Sequence, residues 1–200
     1  MINRKSLFGF MVLGFSAIGG ATLPTSASAS GFYIGADVVQ RTTDLEYPDT
    51  YGGSETYTTQ HTRIKAGYEI LKFLAVEAHA SNAGKDTDID PFGDMFELDT
   101  GNIIGIYVKP KTPFAKANVY GLIGFSQWDT TYREVATGLK DTDTVITFGV
   151  GVGGEFNITQ NLRFNIEGMA QAGSTNYNTF FFDSPDLYSL SFAAGISYRF

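Results

Sequence analysis

The chain has no cysteine, and charged residues fill only 18% of its 200 positions, below the quarter typical of soluble domains. The first absence excludes a disulfide-stapled scaffold and fits a bacterial envelope protein. Mean hydropathy is −0.05, so nothing in the composition points to a bundle of apolar membrane-spanning helices. Basic residues are the scarcer sign, 14 against 21 acidic, which argues against a nucleic-acid partner. Glycine (23 residues) and aromatics (14%) are plentiful. A transmembrane β-barrel has this composition, because the polar half of each strand cancels the hydropathy of the other half.

Residues 1–29 read as a signal peptide. Arg4 and Lys5 form a charged start, Leu7 to Ile18 a short apolar core, and Ala27-Ser28-Ala29 a small-residue cleavage motif before Ser30. The apolar run is too short and glycine-rich for a membrane anchor. Its removal leaves 12 basic against 21 acidic residues, a net charge of −9. The expected domains are 1–29 as leader and 30–200 as barrel.

In the last fourteen residues, Leu187 to Phe200, every second residue is apolar or aromatic: Tyr188, Leu190, Phe192, Ala194, Ile196, Tyr198 and Phe200. The other set is small or polar, apart from Leu187. A period of two held this long is a strand with two chemically different faces. It exceeds the roughly 5–6 residues of a common soluble strand and suffices to cross a bilayer, which takes about 9–11. Seven similar segments precede it, near Gly31–Arg41, Tyr57–Ile70, Leu74–Asn82, Glu97–Lys109, Ala117–Asp129, Thr144–Ile158 and Leu162–Gly173. Short connections alternate with long ones, the latter at 43–56, 83–96, 130–143 and 174–186. The expected fold is all-β: an eight-stranded antiparallel up-and-down transmembrane β-barrel in the bacterial outer membrane, with both termini periplasmic.

Charge placement agrees. Within the proposed strands every charged residue is odd-numbered, leaving one face of each strand clean for lipid. Two strands, 97–109 and 117–129, have apolar residues on both faces, and only their odd-numbered charges assign a facing. An eight-stranded barrel is just filled by its own side chains. Asp37, Glu69, Glu77, Glu155 and Glu167 with Arg63, Lys65, Arg163 and Arg199 are therefore the candidate lumen charge network, which burial requires to be paired. Gly149, Gly151 and Gly153 make room for long side chains opposite. Gly149, Gly151 and Gly154 also spell GxGxxG, but inside a continuous strand with no helix to follow it is no dinucleotide loop.

The stretches GFYIGAD, VYGLIGFSQWD, FGVGVGGEFNITQNLRFNIEG and the terminal ISYRF resemble the small outer-membrane barrels of the OmpX and OmpA membrane-domain family, over Gly31 to Phe200. The resemblance implies that Tyr198 and Phe200 form the signal read by the barrel assembly machinery. It implies contact with outer-membrane lipid and lipopolysaccharide, and a structural or surface-interaction role through the external loops.

His79-Ala80-Ser81-Asn82-Ala83-Gly84 is similar to the H-x-S-N-A-G stretch of the lipid A 3-O-deacylases. That likeness implies an alternative function, an esterase with His79 as base and Ser81 as nucleophile. The other reading is a lumen histidine, since His79 and Ser81 share a face with Glu77. A narrow channel is a further alternative. Asp86, Asp88, Asp90 and Glu97 fall at positions 1, 3, 5 and 12 of a calcium-loop template, with Pro91 where the turn glycine belongs. The reading is weak Ca²⁺ or Mg²⁺ binding at Asp86, Asp88 and Asp90, or else a solvated acidic rim, with no other cofactor expected. Phe180-Phe181-Phe182 is a candidate surface contact or aromatic girdle for a partner the sequence does not name.

Overall fold

A computed structural model describes residues 31–46, 54–89, 95–112, 117–174 and 186–200. Readings that fall elsewhere, including the leader, Asp90 and Phe180 to Phe182, lie outside the described residues, as does the side chain of Asp88. The strands are β1 Gly31–Glu46, β2 Ser54–Leu71, β3 Leu74–Ser81, β4 Gly84–Ile89, β5 Met95–Pro110, β6 Ala117–Glu134, β7 Lys140–Asn157, β8 Leu162–Ser174 and β9 Asp186–Arg199. Neighbours pair antiparallel in the order β3-β2-β1-β9-β8-β7-β6-β5-β4. β3 and β4 both pair with β5 and together make one stave, so the closed barrel has eight. Closure leaves no sheet edge within the bilayer, where unpaired backbone groups are costly.

Alternation decides which side chains meet lipid. On the outer surface β1 offers Phe32, Ile34 and Val38, β5 Ile104, Ile106 and Val108, β7 Ile146, Phe148, Val150 and Val152, and β9 Phe192, Ile196 and Tyr198, all well exposed. This band spans only part of each strand. Beyond it the outward residues turn polar: Gln40, Asp44 and Glu46 on β1, Thr56, Thr58, Gln60 and Thr62 on β2, and Thr142 and Thr144 on β7. At about 3.3 Å per residue, the strands continue well past the apolar band as a threonine-rich palisade.

That extension corrects the sequence reading of the connections. The segment at 130–143 is not a long loop: β6 runs to Glu134, β7 starts at Lys140, and a tight turn joins them. In it Glu134 N–H donates to Leu139 O at 3.0 Å and Gly138 N–H to Glu134 O at 3.0 Å. Gly138 has φ 73°, a conformation costly for a side-chain-bearing residue. Likewise β1 reaches Glu46, β2 begins at Ser54, and β4 occupies 84–89, all within stretches read as loop. The charges there look like loop charges because they lie above the lipid, where they cost nothing.

The facing of β6, and of β5 before Ile103, is corrected as well. On β6 the even-numbered residues point inward: Tyr120, Leu122, Ser126, Trp128 and Tyr132 are buried, while Val119, Ile123, Phe125 and Asp129 point out. Asp129 sits above the apolar band, so its charge never constrained the lipid face. On β5 the pairing with β6 slips between Thr100 and Ile103, a bulge that reverses the alternation. Leu98 and Thr100 therefore face in with Ile103 and Tyr107, and Glu97 and Asp99 face out.

Candidate functional site: the filled lumen and its outer chamber

The lumen is crossed by side chains from opposite staves. Nearest the chain ends, Glu69 receives Lys111 at 2.5 Å, Arg163 at 2.7 Å and Arg199 at 3.2 Å. Next, Lys109 bridges Glu77 at 2.8 Å and also pairs with Glu155, while the Tyr33 hydroxyl donates to Glu77 at 2.5 Å. Above them Arg63 spans Asp37 at 2.7 Å and Glu167 at 2.8 Å, and Lys65 lies 3.1 Å from Asp37. Asn165 donates to the second Asp37 oxygen, and the Tyr120 hydroxyl to Glu167 at 3.0 Å. Apart from Arg199 at the end of the barrel, these side chains are nearly inaccessible to solvent. Buried charges at such density persist only when each has partners; removing one partner of a buried pair typically costs about 3–5 kcal/mol.

The inward glycines exist for these long side chains. A Cβ on Gly153 would lie 2.4 Å from the Tyr120 ring, and one on Gly67 2.2 Å from that of Tyr33. Gly149 and Gly151 are less crowded, with nearest atoms at 3.1 Å (Gln171) and 2.9 Å (the Gly168 carbonyl). Tyr107, Tyr120, Leu122 and Met169 fill the remaining space.

The outer part of the lumen is chemically different. Leu45, Tyr57, Leu98, Ile103, Trp128, Tyr132, Val145 and Leu187 form an apolar cluster, the core of the barrel's extension beyond the bilayer. Glu55 is embedded there and accepts hydrogen bonds from Tyr57 at 2.5 Å and Tyr132 at 2.9 Å. Just below lies Arg41, its guanidinium 4.3 Å from the Trp128 ring.

His79 and Ser81 face this lumen from β3 and are buried. His79 Nε2 is 2.9 Å from Glu77 Oε2 and its Nδ1 is 3.5 Å from Arg63 Nη1; Tyr107 lies against the ring at 4.7 Å. The rest of the motif marks the break between β3 and β4. Asn82 Oδ1 accepts the Thr62 N–H at 2.7 Å, and Asn82 O lies 2.9 Å from His61 Nδ1. A Cβ on Gly84 would come within 2.7 Å of the His61 ring.

On the outside, Asp86 Oδ2 accepts the Thr58 N–H at 2.6 Å, bridging β4 to β2. No group of three potential metal ligands occurs among the described residues. Lys85 lies 3.0 Å from Asp99, and Arg133 binds Glu97 at 2.5 Å. The hydrogen bond from Arg133 holds the Glu97 carboxyl below its ordinary value. At the other end Tyr198 and Phe200 are outward and exposed, their ring centroids 5.1 Å apart, and Phe200 stacks on Phe32 at 5.8 Å.

Sequence reasoning did not single out Lys109, Lys111, Tyr33, Tyr120 or Arg41 for the lumen. Lys111 was hidden in an apparent turn, yet it forms a bridge to Tyr120. Tyr33 and Tyr120 had a readable signal, a glycine directly or nearly opposite on the neighbouring strand.

The family model described as outer membrane protein beta-barrel domain matches residues 13–200. Among solved structures, Neisserial surface protein A is 19% identical with a TM-score of 0.63, the alignment covering 84% of this chain and 97% of that one. OprG from Pseudomonas aeruginosa is 12% identical with a TM-score of 0.55, covering 88% and 98%. Ail, the attachment invasion locus protein of Yersinia pestis, solved with the heparin analogue sucrose octasulfate, is 14% identical with a TM-score of 0.54, covering 86% and 99%. These likenesses are of fold. A search of curated protein sequences gives no significant match.

Proposed function

The chain belongs to the outer membrane protein beta-barrel domain family, and on that premise we propose that it is a closed barrel whose work is done at the cell surface, with neither transport nor catalysis in its lumen. The family is one of the bacterial outer membrane, in contact with its lipid and lipopolysaccharide. The observation that carries the reading is the transverse charge network: Arg63 and Arg163 each reach acids on distant staves, across the way a hydrated ion would have to pass. What remains is the palisade beyond the bilayer, a rigid mount for the connections at its rim. The rim exposes Glu46, Asp129 and Asp186, so polyanions such as the one bound by Ail are poor partners here, and a neutral or basic surface is favoured.

In this reading residues 1–29 direct export and the chain ends lie in the periplasm. Tyr198 and Phe200 engage the assembly machinery, and Asp86 with Asp88 and Asp90 holds divalent cations weakly at the rim. Planar-bilayer recording on the refolded protein tests the central point. The expectation is conductance far below that of an open porin; a large, stable conductance that Arg63→Met leaves unchanged would mean the network does not block the lumen.

The esterase alternative has less support. Both ring nitrogens of His79 lie against charged neighbours inside the lumen, on the opposite side of the wall from any acyl chain. Ser81→Ala in cells is expected to leave lipid A acylation unaltered. A change in the number of acyl chains between wild type and variant would restore catalysis as the function.

A further inference from the structure

Arg41 is exceptional among the described residues. Each other lysine or arginine that is buried lies beside at least one carboxylate: Arg63 and Lys65 beside Asp37, Lys109 beside Glu77, Arg163 beside Glu69. Arg41 is only 4% exposed and has none. Its Nη2 donates to the neutral Gln171 Oε1 at 3.3 Å, and its guanidinium faces Trp128. Nε and Nη1 have no partner. The acids of the vicinity are committed elsewhere, Asp37 and Glu167 to Arg63 below and Glu55 to two tyrosine hydroxyls above.

Two more unpartnered donors lie beside it. Thr43 Oγ1 and Ser189 Oγ are buried without hydrogen bonds. Thr43 and Ser189 are direct cross-strand partners on β1 and β9, one lumen-facing step above Arg41 and its own partner Ser191. Unsatisfied N–H and O–H groups thus gather around a buried cation where no carboxylate enters. A cation stacked on an aromatic face is stabilised on that face alone, and its edge donors still need an acceptor.

We propose that this outer chamber is a binding site for a small inorganic anion of the halide class, held by the Arg41 guanidinium with the hydroxyls of Thr43 and Ser189. Size follows from the walls. Leu45 and Leu187, paired immediately above, are fully buried and belong to the apolar cluster, a wall that offers no polar partner to the rest of a phosphorylated or sulfated organic ligand. The bound anion neutralises Arg41 and ties β1 to β9, the strands that close the barrel's first and last staves together.

Trp128 is the chain's one tryptophan and lies against Arg41, so it reports on the site. Iodide quenches indole fluorescence on contact. In the refolded protein, iodide titration at constant ionic strength, balanced with gluconate, is expected to give saturable quenching. Arg41→Met abolishes the saturable part, and the double variant Thr43→Val with Ser189→Ala, which keeps the cation, weakens apparent affinity several-fold. Bromide competes with iodide, while quenching by neutral acrylamide is the same in all variants. Quenching that rises linearly without saturation would overturn the proposal and leave the donors to water alone. Saturable quenching untouched by Arg41→Met would place the anion elsewhere. If Arg41→Met does not fold, the double variant decides: affinity equal to wild type contradicts the site.

Discussion

At the scale of single residues, the governing fact is that one position along a strand sits in lipid, in a packed polar lumen or in water, and each medium tolerates different chemistry. Val150 and Thr144 are on the same face of β7, but Val150 lies in the apolar band and Thr144 above it. Val150→Arg is expected to destabilise the barrel by about 2–4 kcal/mol, the cost of a cation near mid-bilayer. Thr144→Arg should be close to neutral, since it stands in water beside Asp129, whose carboxylate the Thr144 hydroxyl reaches at 3.4 Å. Equilibrium urea unfolding in lipid vesicles measures both, and equal losses would mean the band is drawn in the wrong place. The alternation in the sequence told which face a residue such as Arg163 occupies. It could not tell that Arg163 would meet Glu69, because the two are 94 positions apart and nothing local couples them.

At the scale of the element, alternation is reliable within a strand and silent about where a strand changes register or medium. β9 was legible over its whole length because its charges and aromatics agree. β6 was not, since Tyr120, Leu122 and Trp128 on one face are as apolar as Val119, Ile123 and Phe125 on the other; the lumen there is filled by aromatics rather than charges. The β5 bulge had one marker in the sequence, Gly101 between Thr100 and Ile103, since a glycine inside a strand often marks a bulge. β4 is a lightly held element, paired to β5 alone by strand hydrogen bonds and supported by its Lys85, which lies 3.0 Å from Asp99 and 3.7 Å from Glu97. Because Glu97 is held below its ordinary value, its contribution is complete above the usual glutamate range, near 4.3. It is lost as pH falls through the depressed value. Exposure keeps the effect small. Amide-exchange protection of β4 relative to β3 should fall on acidification, and Glu97→Gln should lower it already at neutral pH and shrink the acid loss. Identical β4 protection in the variant at both pH values would remove Glu97 from this role.

At the scale of the whole molecule, two barrels are stacked in one. The inner half is a membrane barrel with an apolar belt and a charged interior; the outer half is a water-exposed barrel with polar outer faces and an apolar interior around Leu45, Trp128 and Leu187. The inversion explains why mean composition looks neither soluble nor membranous. It also explains why the connections were read as too long: the apolar alternation stops where the lipid does, and water can lie beside a strand as readily as beside a loop. The absence of cysteine makes the arrangement directly testable. Single-cysteine variants at Thr142 and Thr144 on the outer palisade, Val150 in the belt and Thr147 in the lumen can be treated in intact cells with a membrane-impermeant maleimide. The account predicts rapid labelling at 142 and 144 and protection at both 150 and 147; labelling of the Thr147 variant as fast as the palisade positions would show an open lumen and contradict it.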